Sequence, residues 1–140
     1  MIPTSLIGIG ATPVLRFVHC LYPFVHGLGL GVIAMLLHEA GHLLAALALG
    51  VRIKSVGLKW NKGLYTIRER GTAQQSLLIA IAGPLVNLLL VATALWDPLF
   101  AMANFCYALA NVLPIDGSDG SRIAACWRQI RSGAVPNQET

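Results

Sequence analysis

The sequence predicts an all-α membrane protein, a three-helix transmembrane core with a short cytoplasmic-side β-hairpin. Three observations predict it. Only 11% of the 140 residues are Asp, Glu, Lys or Arg, against about 25% in an ordinary soluble domain. Hydrophobic residues make up 56%, which excludes a disordered chain. The charges are also confined. Phe17 to Val51 carries one formal charge, Glu39, while Gly71 to Trp96 and Pro98 to Ile115 carry none. Each stretch approaches or exceeds the roughly 20 residues a helix needs to cross the hydrocarbon core. The length fits a single membrane-embedded domain over residues 1–140.

Met1 to Arg16 is apolar but short, and Pro3 and Pro13 interrupt it. With no basic start and no small-residue cleavage site, it reads as an interfacial or irregular lead-in and not as a signal peptide. The first span covers about 21–50. Residues 51–70 change texture to VRIKSVGLKW, NKG and LYTIRER. Two runs rich in β-branched and aromatic residues around Asn61-Lys62-Gly63 read as a β-hairpin, with glycine supplying positive φ at the turn. The second span, about 73–95, and the third, about 98–114, are separated by the tight turn Trp96-Asp97-Pro98. Pro114 to Ser121 is too rich in Gly, Pro, Asp and Ser for continuous helix. Ile123 to Ile130 can restart a short one, and residues 132–140 are expected to be a disordered tail.

The basic residues set the topology. Arg52, Lys54, Lys59, Lys62, Arg68 and Arg70 lie between the first two spans, and Arg122, Arg128 and Arg131 follow the third. The positive-inside rule makes hairpin and tail cytoplasmic and the amino terminus external in a multi-pass protein. The net charge of +4 does not point to nucleic acid, because these residues flank spans and do not form one basic face. Cys20, Cys106 and Cys126 form no CxxC pair and leave an odd thiol, so they read as small apolar residues.

The first span carries the chemistry, in His38-Glu39-Ala40-Gly41-His42. On a helix, His38 and His42 project from one face a turn apart and can share one metal, while Glu39 stands beside them as a base for a metal-activated water. Three ionisable groups this close in a membrane span are costly without partners, which favours a metal over two merely buried histidines. A catalytic zinc takes a third protein ligand and keeps one position open. Asp116 and Asp119 are both candidates, in the segment Asn111-Val-Leu-Pro114-Ile-Asp116-Gly-Ser-Asp119-Gly120. His19 and His26 have no carboxylate nearby in sequence and are assigned no metal.

Three motifs in order, His38-Glu39-Ala40-Gly41-His42, Ala82-Gly83-Pro84-Leu85-Val86-Asn87 and Asn111-x-x-Pro114-x4-Asp119-Gly120, make the chain resemble the site-2 protease family of intramembrane zinc metalloproteases. The resemblance covers about Ile33 to Arg122. It implies one zinc ion held by His38, His42 and Asp119, because the family's metal-binding aspartate precedes a glycine and follows the proline by five residues. Ser118 and Ser121 stand where the family usually has Leu and a second Gly. Glu39 would be the catalytic base, and the substrate a membrane protein cut within or next to a transmembrane segment in the bilayer. A site kept without turnover, in a membrane metal-binding or adaptor protein, would have no need of that base. Asn87 and Asn111 are amides that must bond something in lipid. The resemblance implies that they face the active site to hold substrate or the oxyanion, with an interhelical hydrogen bond as the competing use. The Val51 to Glu69 segment would offer a strand edge to an unwound substrate.

Overall fold

The computed structural model describes residues 13–59, 63–69 and 71–133. In chain order these form α1 (Pro13–Ala48), β1 (Ile53–Lys59), β2 (Gly63–Arg68), α2 (Ala73–Leu90), a 3-10 segment (Val91–Leu95), α3 (Pro98–Val112) and α4 (Asp119–Ser132). The molecule is mostly helical, with one antiparallel two-stranded hairpin. Two stretches, Arg16–Ala48 and Ala73–Leu95, are long and apolar enough to cross a membrane. The apolar α3 has 15 residues, a rise of about 22 Å against a hydrocarbon core of about 30 Å.

Three boundaries differ from those the sequence predicts. Pro13 to Arg16 belong to the first helix and are not an irregular lead-in. The last helix begins at Asp119, four residues before the expected Ile123, because Ser118 caps it: its hydroxyl accepts from the Ser121 N–H at 3.2 Å. This helix runs through Ser132 and stops at Gly133, whose φ of 62° is left-handed, so Ser132 and Gly133 belong to the helix and its cap and not to a disordered tail. The rest of the lead-in, the Asn61-Lys62 part of the turn and the tail from 134 lie outside the described residues.

Short local bonds set the angles between elements. Gly50, with φ of 70°, turns the chain out of α1. The Val51 N–H then bonds the Ala46 carbonyl at 2.9 Å, and Val51 buries against Ala46 and Ile79. Thr72 and Gln75 form a capping box at the start of α2. The free amide hydrogen of that same Gln75 reaches the Leu49 carbonyl at 3.1 Å, clipping the start of α2 to the end of α1. From there the two helices run antiparallel and cross closely at Gly41, where a Cβ would stand 2.8 Å from the Ala82 carbonyl oxygen. Asp97 caps α3, accepting from the Phe100 N–H at 3.0 Å. In the hairpin, Ser55 pairs with Ile67 and Lys59 with Gly63, with an irregularity between Ile53 and Ser55.

Alanine dominates the buried apolar set (Ala34, Ala46, Ala80, Ala101 and Ala108), while Phe24, Leu28, Leu44, Leu88 and Phe105 face outward. Small residues inside permit close helix contact, and large apolar ones outside suit an apolar surrounding. Among the described residues the interior also holds four polar side chains, His38, Asn87, Asn104 and Asp119.

Candidate metal centre

His38 and His42 lie one turn apart on α1, and α2 passes over that turn at Gly83. A Cβ on Gly83 would stand 2.5 Å from His42 Cε1 and 2.8 Å from His38 Nε2, so only glycine leaves room for both rings. Asp119 enters from the first turn of α4, where a helix N-terminus favours a carboxylate. The following Gly120 is held against the end of α3, its would-be Cβ 2.6 Å from the Leu113 carbonyl oxygen. Three atoms converge: His38 Nε2 lies 2.8 Å and His42 Nε2 3.0 Å from Asp119 Oδ2, and the two Nε2 atoms are 3.1 Å apart. His38 is 2% exposed and Asp119 5%.

The hydrogen bonds behind the rings fix their tautomers. His42 Nδ1 lies 2.6 Å from the Ile79 carbonyl oxygen, which can only accept, so Nδ1 carries the proton. Pro84 leaves the adjacent Ala80 carbonyl without its helical donor, which loosens α2 at this turn. His38 Nδ1 lies 2.9 Å from Asn87 Oδ1. That amide cannot be turned over, because its Nδ2 donates to the Ala34 carbonyl at 3.0 Å and to Asn104 Oδ1 at 2.9 Å. Asn104 is oriented in turn by donating to the Phe100 carbonyl at 2.8 Å. With Nδ1 engaged behind each ring, Nε2 is the nitrogen turned toward the Asp119 oxygen, and in a neutral ring it is the atom with the lone pair.

Three lone pairs about 3 Å apart repel one another unless a cation lies among them. A tetrahedral zinc with bonds of about 2.0–2.1 Å spaces its donors roughly 3.3 Å apart, close to the distances in this triangle. Two imidazoles and one carboxylate are also a donor set that zinc accepts. The residues present fit the ion.

Glu39 is half-buried and close enough to interact electrostatically with His42, His38, Asp119 and Arg122. It lies beside the donor triangle without belonging to it. Arg122 Nη1 lies 3.6 Å from Asp119 Oδ1 but is 63% exposed, so this pair contributes little. Arg68, at the end of β2, is brought near the same two residues. Burial, and then the like charge of Arg122, lowers the pKa of its guanidinium.

The structure thus brings together His38, Glu39, His42 and Asp119, and leaves Asp116 exposed. Asn87 is fully buried and makes interhelical hydrogen bonds to His38, the Ala34 carbonyl and Asn104. Asn111 is half-buried and donates to the Tyr107 carbonyl of its own helix at 2.9 Å. His26 stacks on Tyr22 with ring centroids 5.7 Å apart, and His19 is exposed. Two residues escaped the sequence reading. Asn104 carries the hydrogen-bond chain just described, and Tyr107 places its ring 5.1 Å from that of His38, edge to face at 74°. A signal for Asn104 existed, since it is a second amide in the same charge-free stretch, two helical turns before Asn111.

Fold and site together define a helical protein, able to contribute membrane-crossing helices, with a buried two-histidine, one-aspartate metal-donor cluster built on an HExxH helix. The chain belongs to the Peptidase M50B-like family, whose model matches residues 7–113, and this agrees with the site-2 protease character of its motifs. Asp119 lies beyond the matched residues, so its place in the cluster rests on geometry. A Synechocystis sp. protein that carries the provisional name zinc metalloprotease is 38% identical over 100 residues. The alignment covers 59% of this chain, which spans 26% of that relative's length.

The packing of Gly83 gives a direct test of the cluster. Gly83→Ala puts a methyl group against both ligand rings, and is expected to abolish metal uptake while the capping and hairpin regions stay folded. Zinc content of the purified variant measures this, and parent-level zinc would mean that α2 can shift to accommodate the methyl.

Proposed function

We propose that the protein is an intramembrane zinc metalloprotease that hydrolyses a peptide bond within or next to a transmembrane segment of a substrate protein. The observation that carries this reading is the convergence of three lone-pair donors beside Glu39, a carboxylate that is not one of them. Membership of the M50B-like family and the name of the Synechocystis relative support it. His38, His42 and Asp119 hold one zinc ion. Zinc in such a set supplies Lewis acidity, which acidifies water and polarises a carbonyl.

Glu39 takes the proton of the attacking water as the new C–O bond forms, then delivers it to the departing amine nitrogen as the C–N bond breaks. Ile79 and Asn87 keep the ligand rings from rotating during this exchange by holding their Nδ1–H groups. In this reading α1, α2 and α3 form the membrane core, the hairpin and α4 lie on the cytoplasmic side, and the amino terminus is outside. An extended substrate leaves backbone groups unpaired, and a two-stranded hairpin has outer strand edges that can receive them.

The test is cleavage of a model transmembrane substrate by the purified, zinc-loaded protein in detergent or lipid. Cleavage is expected to stop with a chelator and return with zinc. A protein that binds zinc stoichiometrically and cuts no transmembrane substrate would overturn the assignment of activity.

A further inference from the structure

The hydrogen-bond chain through Asn104 and Asn87 connects three helices to a single ring nitrogen. Each link has only one workable direction. The Phe100 carbonyl accepts, so Asn104 presents Nδ2 to it and Oδ1 to Asn87. The Ala34 carbonyl also accepts, so Asn87 presents Nδ2 to that side and Oδ1 to His38 Nδ1. A flipped Asn87 would set its oxygen against two other oxygens and its N–H groups against a protonated Nδ1. Asn87 and Asn104 both have 0% exposure, so water does not substitute for either partner. Unsatisfied groups at this depth cost more than the bonds themselves are worth.

We infer that Asn104 and Asn87 are positioning residues that set the metal affinity of the site by locking His38 in the Nδ1–H tautomer, leaving Nε2 free to bind. This rests on the metal centre proposed above. Asn104 touches none of the three donors, and its effect reaches them only through the direction of the Asn87 amide. The relay also ties ligand readiness to helix docking. His38 is on α1, Asn87 on α2 and Asn104 on α3, so the ring is held in its binding form only when all three helices are in place.

The experiment compares zinc dissociation constants, by competition with a chromophoric chelator, for the full-length parent and for Asn87→Leu, Asn104→Leu and Asn104→Asp. Removing an outer partner of a metal-bound histidine weakens binding by about 10–100-fold, and Asn87→Leu is expected in that range. Asn104→Leu is expected to follow with a smaller loss. Asn104→Asp, kept neutral by burial, can donate its carboxyl proton to the Phe100 carbonyl while its other oxygen accepts from Asn87, and is expected to recover most of the loss, which a general packing role would not predict. Parent affinity in both leucine variants, or equal weakness in Asn104→Asp and Asn104→Leu, would overturn the relay. A second readout needs no metal: in 15N-histidine-labelled protein without zinc, His38 should carry its proton on Nδ1 in the parent and lose that preference in Asn87→Leu. A parent that took up no zinc would count against the metal centre, while the relay would still stand or fall on the nitrogen shifts.

Discussion

Glu39→Gln is expected to leave zinc binding and the fold intact and to lower the rate of peptide-bond cleavage by about 10²–10⁴-fold, the contribution general acid–base catalysis typically makes. The substitution keeps the size and polarity of the side chain and removes only its capacity to take a proton. Glu39 is outside the donor triangle, so metal content should match the parent, and this separates loss of the base from loss of the site. Single-turnover cleavage of a transmembrane substrate, measured beside zinc content, reads both. An unchanged rate would remove Glu39 from the mechanism. A lost rate accompanied by lost zinc would make it a ligand.

Asp119→Ala is expected to produce the largest loss of metal. Replacing an outer partner of a ligand already costs about 10–100-fold in affinity, and Asp119 is itself a donor, with one oxygen 2.8 Å and 3.0 Å from the two histidine nitrogens. It also supplies the only formal negative charge in the triangle. Loss beyond 100-fold is therefore expected for Asp119→Ala, and near-parent affinity for Asp116→Ala, whose side chain is exposed. Equilibrium dialysis with zinc distinguishes the two. Retained zinc in Asp119→Ala together with loss in Asp116→Ala would reverse the assignment.

What the sequence made legible was local or periodic. His38 and His42 are four residues apart, and helical geometry alone places them together. The hairpin was legible because β-branched residues flank Asn61-Lys62-Gly63 between two apolar stretches. Where a helix starts depended on finer chemistry. Pro13 looks like an interruption but lies within α1, and Ser118, a departure from the usual family residue, is the cap that starts α4. Choosing between Asp116 and Asp119 needed family resemblance, because each precedes a glycine and their separation is only three residues. The amides were harder still. Nothing in one sequence says that Asn87 turns its oxygen to His38 and its hydrogens to Ala34, since that direction is fixed by carbonyls on two other helices. Asn111 bonds its own helix, whereas Asn104, an equally plain amide in the same apolar stretch, bridges two.

His38 and Asp119 are 81 residues apart along the chain, with the whole hairpin and two helices between them. During synthesis, therefore, the two histidines emerge well before their third partner, and the nascent chain carries a two-ligand site while α2 and α3 are being made. If the proposed activity holds, a chain at that stage lacks its third zinc ligand and has nothing with which to cut neighbouring chains. In the proposed reading the metal site is completed in one step, when the first turn of α4 docks, and among the described elements α4 is the arming one.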